Sequence, residues 1–195
     1  MRRKWRTGMA RSIFGLDIGT SNIKIYCSER DEILNEKNII AIANKKEVFA
    51  VGDEAYDMHE KAPASIQVTF PVKYGVIADF ANMQILVTEF IKKLSKGGKI
   101  MPADYYIAIP TEITEVEKRA FLELIRDSKI KARKVMVINK PVADAVGSGV
   151  DVNGAKGVMV VNIGADTTEI SVMSLGGIVI SRAVKFGGNK LDEQI

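Results

Sequence analysis

Cysteine, histidine and tryptophan occur once each in the 195 residues, as Cys27, His59 and Trp5. A single thiol closes no internal disulfide, and one cysteine with one histidine makes no zinc-type cluster. A reducing, cytoplasmic setting is the expectation. Long apolar runs are also missing: no stretch approaches the roughly 20 residues needed to span a bilayer. The first apolar segment, residues 12–19, is short and carries Asp17, which does not suit a secretory signal. His59 lies in a polar stretch with Asp57, Glu60 and Lys61 and reads as an exposed side chain.

What is present is an ordinary globular composition. With 47% hydrophobic and 27% charged residues, and mean hydropathy +0.04, the chain suits one domain or one and a fraction. The net charge of +4 is unevenly placed. Arg2, Arg3, Lys4, Arg6 and Arg11 put five positive charges and no acid in the first eleven residues. Taking those five from +4 leaves −1 for the rest, so the folded part offers no basic face for nucleic acid.

Residues 13–17 form a short apolar run, followed by a turn at 18–21 and an alternating run over 22–26. That is the pattern of a tight β-hairpin with glycine in its loop. Short strands are expected at 38–43 and 47–51, and a brief helix at 52–59. Met83, Ile85, Leu86, Phe90, Ile91 and Leu94 repeat with a helical period that stops at Gly97-Gly98. Residues 105–109 alternate as a buried strand would and end at Pro110. Thr114 precedes Glu117 at capping-box spacing, ahead of a helix over 115–126. A strand at 135–138 and a helix over 141–146 follow, with proline in its first turn. A meander over 158–162, 167–174 and 178–185 then leads through Gly187-Gly188 into a last helix. Strands mixed with helices define an α/β class. The glycine-rich segment 147–157 is the best internal boundary. The chain stops inside the last helix, so further chain is expected after Ile195.

Two segments resemble each other: Phe14-Gly-Leu-Asp-Ile-Gly-Thr-Ser-Asn-Ile-Lys-Ile-Tyr26 and Val160-Val-Asn-Ile-Gly-Ala-Asp-Thr-Thr-Glu-Ile-Ser-Val172. Each reads apolar run, Asp or Asn, Ile-Gly, small polar residues, then an alternating strand. One such repeat suggests duplicated halves facing each other rather than a solenoid. A glycine in a strand-to-strand turn lets backbone N–H groups approach an anion with no Cβ in the way. Thr20 and Ser21 on one loop, and Thr167 and Thr168 on the other, add hydroxyl donors. Asp17 is placed to hold the waters of a Mg²⁺, which binds through one or two carboxylates plus phosphate oxygens. Two ordinary hairpins with glycine turns are the other reading of the same residues.

The two loops resemble the phosphate-1 and phosphate-2 motifs of the actin, sugar-kinase and heat-shock-chaperone superfamily. Gly75-Val-Ile-Ala-Asp-Phe80, Ile113-Thr-Glu-Val-Glu-Lys-Arg-Ala120, Ser174-Leu-Gly-Gly-Ile-Val-Ile-Ser181 and Gly187-Gly-Asn-Lys-Leu-Asp-Glu-Gln-Ile195 narrow the resemblance to bacterial actins of the MreB type. It implies an actin-like, ribonuclease H-like mixed sheet flanked by helices. By the same pattern, 12–37 with 71–146 form a first core subdomain and 38–70 a small inserted lobe. Residues 147–195 begin a second core subdomain that is incomplete here. It further implies a protein that binds ATP or GTP with Mg²⁺ and assembles with itself into filaments at the inner face of the membrane. Such filaments position membrane-bound wall-synthesis proteins. The nucleotide-binding residues carried over are Gly19, Thr20, Ser21, Asn22 and Lys24, then Gly164, Ala165, Asp166 and Thr167, with Gly187 and Gly188. Lys24 stands where conventional actin has a phosphate-contacting lysine; a solvated lysine on the outer face of the hairpin is the alternative.

Three positions depart from the pattern. The family has a water-orienting Glu where this chain has Lys140, and an Asp where it has Asn162. It has small glycines where this chain has Ala165 and Asp166. A charged lysine accepts neither a proton nor a hydrogen bond from water. Asn162 keeps the shape and loses the charge, and Asp166 puts an anion in a loop that receives anions. An ion pair between Lys140 and Asp166 would offset part of this. Impaired hydrolysis is expected at these substituted catalytic positions. A filament-forming nucleotidase competes with a non-hydrolysing nucleotide sensor or adaptor on such filaments, and with a small-molecule kinase, for which no sugar-binding signature is found. The basic leader with Trp5 offers a contact for anionic lipid, against the reading of a disordered tail.

Overall fold

In the computed structural model, residues 11–44 and 47–195 are described. The leader therefore lies outside the described residues except for Arg11, which is exposed. The chain opens with an antiparallel meander of β1 (Ile13–Ile18), β2 (Asn22–Cys27) and β3 (Glu32–Lys37). A small lobe follows, with β4 (Ile40–Ala43), β5 (Glu47–Val51), α1 (Asp53–Tyr56) and β6 (Ile66–Thr69). A two-stranded ribbon of β7 (Val72–Lys73) and β8 (Val76–Ile77) leads into α2 (Phe80–Leu94). Next come β9 (Ala103–Ile109), α3 (Glu115–Arg126), β10 (Ala132–Asn139) and α4 (Lys140–Gly147). A second meander of β11 (Val158–Ile163), β12 (Thr168–Ser174) and β13 (Gly177–Val184) ends at α5 (Gly188–Asp192).

The main sheet has the order β10-β9-β1-β2-β3, with β1, β9 and β10 parallel. Strand alternation sends Phe14, Leu16 and Ile18 of β1, and Tyr105, Ile107 and Ile109 of β9, to one buried face. There α2 lays down Met83, Leu86, Val87, Phe90 and Ile91, and α3 adds Phe121, Leu124 and Ile125. The same alternation turns Asp17 to the opposite face, toward the cleft. Strand β4 serves two cores: Ile40 and Ile42 join the main one, while Ala41 packs with Ile39, Ala50 and Ala55 inside the lobe. A third cluster, Ala145, Val152 and Met173, fastens α4 to the second meander.

Helix α3 spans the expected residues, and its capping box is complete. Thr114 Oγ1 accepts from the Glu117 N–H at 3.2 Å, and Glu117 Oε2 accepts from the Thr114 N–H at 2.7 Å. Other expectations need correction. The helix at 52–59 is one turn long, Asp53–Tyr56; beyond it the N–H groups of Met58, His59 and Lys61 bond three residues back, as turns. Strand β3, strand β6 and the β7–β8 ribbon were not anticipated; each is short and owes its place to cross-strand pairing. His59 is half-buried rather than exposed. Its ring stacks on Tyr56 and meets Phe70 edge-on at 5.0 Å.

Tyr105 is fully buried and stacked on Phe14 at 5.2 Å, yet its hydroxyl has no hydrogen-bond partner among the described residues. Burial pushes the phenol well above its ordinary pKa. Removing a lone buried hydroxyl removes its desolvation penalty, so Tyr105→Phe should stabilise by about 1 kcal/mol. For a chain of this size that is about 2–4 °C in Tm, read by thermal unfolding.

Candidate functional site

The two repeated turns are built alike. Between Ile18 and Ile23, the Gly19 N–H donates to the Asn22 carbonyl at 3.0 Å; between Ile163 and Thr168, the Gly164 N–H donates to the Thr167 carbonyl at 2.8 Å. A Cβ on Gly19 would stand 2.7 Å from the Asn22 oxygen, so the tight turn admits only glycine. Both turns open on one cleft of about 910 Å³, within the size range of small-molecule sites. Gly19, Thr20, Ser21 and Asn22 line one side, and Gly164, Ala165 and Thr167 the other. Asp17, Lys24, Lys140 and Asn162 form the floor between them.

The floor is set by strand register. Lys24 of β2 lies directly across from Asp17 of β1, and its ammonium reaches Asp17 Oδ2 at 3.2 Å. Lys24 is thus an ion-pair partner, not a free lysine on an outer face. Lys140 begins α4 at the end of β10, two strands from β1. Between them, Ala108 of β9 is in register with both Asp17 and Ile138. Its small side chain lets Lys140 Nζ cross β9 to Asp17 Oδ1 at 2.7 Å. Of the two acids, Lys140 pairs with Asp17 and not with Asp166.

Burial alone would raise the Asp17 pKa, but the Lys140 ammonium, backed by Lys24, outweighs it and holds the carboxyl below its ordinary value. Asp144, one turn along α4 from Lys140, behaves the other way. Burial raises its pKa, and the Asp17 and Glu169 charges add to that; the hydrogen bond from Asn162 Nδ2 at 2.5 Å and the Lys140 charge only partly offset it.

Magnesium does not fit this donor set. Both oxygens of Asp17 carry ammonium groups, Asn162 supplies no charge and is held on Asp144, and Glu169 accepts from the Thr111 N–H at 2.9 Å and from its hydroxyl. Asp17, which the resemblance gives a magnesium's waters, has a lysine ammonium on each of its two oxygens in this structure.

Asp166, Gly187 and Gly188 are not on the cleft wall. Asp166 Oδ2 accepts from the Tyr74 N–H at 3.1 Å and Oδ1 from Asn189 Nδ2 at 2.8 Å. It ties the second turn to the β7–β8 ribbon and to α5. Gly188 N–H donates to the Gly164 carbonyl at 2.9 Å, and a Cβ on Gly187 would sit 2.5 Å from the Gly164 and Ala165 oxygens. These glycines let α5 seat against the turn. Several contributors were missed from sequence. Gly75 N–H donates to Thr20 Oγ1 at 3.2 Å, and buried Asn38 donates to the Gly19 carbonyl at 2.7 Å. Thr111, Ser181 and buried Glu169 join β9 to the second meander. Only Asp144 left a signal, four residues after Lys140 on one helix face.

Paired glycine turns on two sheets, with one cleft between them, define an actin-like protein. The family model described as MreB/Mbl protein matches residues 11–195, and the chain belongs to that family. It is 38% identical over its whole length to the cell shape-determining protein MreB of Escherichia coli (strain K12), of which it covers 57%. Over 95% of its length it is 38% identical to the cell shape-determining protein Mbl of Bacillus subtilis (strain 168), covering 55% of it. The chain thus spans a little over half the length of these relatives. The crystal structure of MreB5 of Spiroplasma citri bound to ADP superposes with TM-score 0.85 at 31% identity, over 95% of this chain and 55% of that one. The same protein bound to AMPPNP gives 0.86 at 30%, over 96% of this chain and 56% of that one.

Two carboxylates on the floor should respond oppositely to neutralisation. Asp17, with its lowered pKa, contributes stability above its unfolded value of 3.8, lost as pH falls through its folded value. Asp144, with its raised pKa, costs stability above its folded value, and that cost is gone by 3.8. Near neutral pH, Asp17→Asn should lower Tm and Asp144→Asn should raise it. In a pH series of melting curves, the Asp144→Asn difference should vanish by pH 3.8, where that of Asp17→Asn still persists. Gly187→Ala should lower Tm and shift the Gly164–Thr167 turn, seen as amide chemical-shift changes there.

Proposed function

We propose that the chain is the nucleotide-binding part of a filament-forming, cell-shape-determining protein of the MreB type. It takes ATP or GTP between its two glycine turns, associates with itself, and organises wall synthesis at the inner face of the membrane. The observation that carries this reading is the matched pair of turns, with the same internal hydrogen bond, lining one cleft. Binding of ADP and AMPPNP by MreB5, whose fold this chain shares, supports it. So does the cell shape-determining role of the Escherichia coli and Bacillus subtilis relatives. Residues 12–37 with 71–146, then 38–70, then 147 onward, are the proposed subdivisions. Phosphates meet the backbone N–H groups of the turns and the hydroxyls of Thr20, Ser21 and Thr167.

Hydrolysis is slow in this reading. Transfer of a phosphoryl group to water relies on positioning and on a group that orients the nucleophile. Lys140 has three donors and no acceptor, and its ammonium is turned to Asp17. Asn162, committed to Asp144, does not take up the duty. The same pair favours a second reading, a non-hydrolysing sensor or adaptor that modifies filaments built by relatives.

Loss of a positioned acid or base costs about a hundredfold to ten-thousandfold in rate. Phosphate release from the assembled protein should fall short of ordinary family turnover by that order, and Lys140→Glu with Asn162→Asp should recover part of it. Ordinary turnover by the wild type would contradict slow hydrolysis. Sedimentation with nucleotide separates the readings: the first requires the protein to pellet alone, the second only with a relative's filaments.

A further inference from the structure

The lysines on Asp17 also set the charge of the cleft floor. One carboxylate with two ammonium groups carries a net charge of +1, from Asp17, Lys24 and Lys140. A carboxylate beside a divalent cation carries the same +1. The charge that phosphates would meet on the cleft floor is thus already present in the protein.

The placement suits that substitution. All three side chains line the cleft between the two turns. Lys140 is 20% exposed and Asp17 30%, while Lys24 at 53% stands at the mouth. The inner ammonium is held at 2.7 Å by Asp17 and partly shielded from water, where a fixed charge acts more strongly than in bulk solvent. Each ammonium gives one N–H to Asp17, and its remaining donors can serve phosphate oxygens. Lysine binds phosphate as a compact point charge, which is also how a small divalent cation presents itself to a polyphosphate.

We infer that Lys140 and Lys24, anchored on Asp17, take the place of a divalent cation, so that this cleft binds nucleoside di- and triphosphates without one. The inference rests on the nucleotide-binding reading above. It adds the chemical form of the ligand: the metal-free polyphosphate, not its magnesium complex. It also assigns Lys140 a binding role at a position where the family's glutamate orients water.

The test is a titration of the isotope-labelled protein with ATP, followed by amide chemical shifts, first in EDTA and then with excess Mg²⁺. Inorganic triphosphate, titrated in parallel, separates phosphate recognition from base recognition. Wild-type protein should bind ATP in EDTA, with shifts at Gly19–Asn22 and Gly164–Thr167, and Mg²⁺ should not tighten it. Lys140→Met should weaken binding in EDTA roughly tenfold, the worth of one charge-assisted hydrogen bond. Lys24→Met, at the more exposed of the two lysines, should weaken it in the same direction. Lys140→Glu should create a cation site: Mn²⁺ should broaden the Asp17 and Gly19 resonances in this variant and leave the wild type sharp.

Binding by the wild type only when Mg²⁺ is present would overturn the inference and leave the nucleotide reading standing. Unchanged affinity in both Lys→Met variants would overturn it as well. No shift at either turn, with or without Mg²⁺, would remove the nucleotide reading and the inference together.

Discussion

The ion pair between Asp17 and Lys140 joins the end of the first strand to the head of the helix that leads out of the main sheet. It is made over the top of β9, where Ala108 leaves room for a lysine side chain to pass. Helix α4 packs on β9 and β10 at one side and on β11 and β12 at the other. Fixing its first residue on Asp17 therefore fixes how the second meander meets the main sheet. An unpaired carboxylate, half-buried as Asp17 is, would be costly, and so would an unpaired half-buried lysine. Each makes the other tolerable, and Lys24 closes the cluster from across the hairpin.

Secondary ties follow the same line between the two halves of the cleft. Thr111, at the exit of β9, donates to buried Glu169 of β12, with Ser181 of β13 alongside. Glu112 accepts from the Ala183 N–H at 3.0 Å. At the opposite rim, the turn between β7 and β8 uses Tyr74 at φ +51° and Gly75 at φ +78°, the left-handed pair a two-residue hairpin demands. Its two N–H groups reach Asp166 on one glycine turn and Thr20 on the other. The substituted Asp166 thereby gains a structural purpose that a glycine there would not have.

Local signals were readable in the sequence and non-local ones were not. Thr114 and Glu117 announce α3 because a capping box is complete within four residues. The paired Ile-Gly turns announce the cleft because each carries its own hydrogen bond within the loop. By contrast, the partner of Lys140 is hidden until β10, β9 and β1 are laid side by side, which brings Asp17 to it across 123 residues of chain. Asp166 and Tyr74 meet over a similar separation, 92 residues, and no periodicity hints at it. His59 looks exposed from its charged neighbours in sequence, yet the lobe folds Phe70 against it. The β7–β8 ribbon escaped notice because two-residue strands have no alternation to detect.

The central claim is that Asp17 and Lys140 act as one coupled unit at the floor of the cleft, and a double-mutant cycle tests it most directly. Asp17→Asn, Lys140→Met and the double variant would be compared with wild type by denaturant unfolding near neutral pH. If the pair is one unit, the two single costs do not add, and the interaction energy falls in the range of about 0.5–3 kcal/mol found for residues in one network. Costs that add to within about 0.3–0.5 kcal/mol would mark the residues as independent and contradict the account.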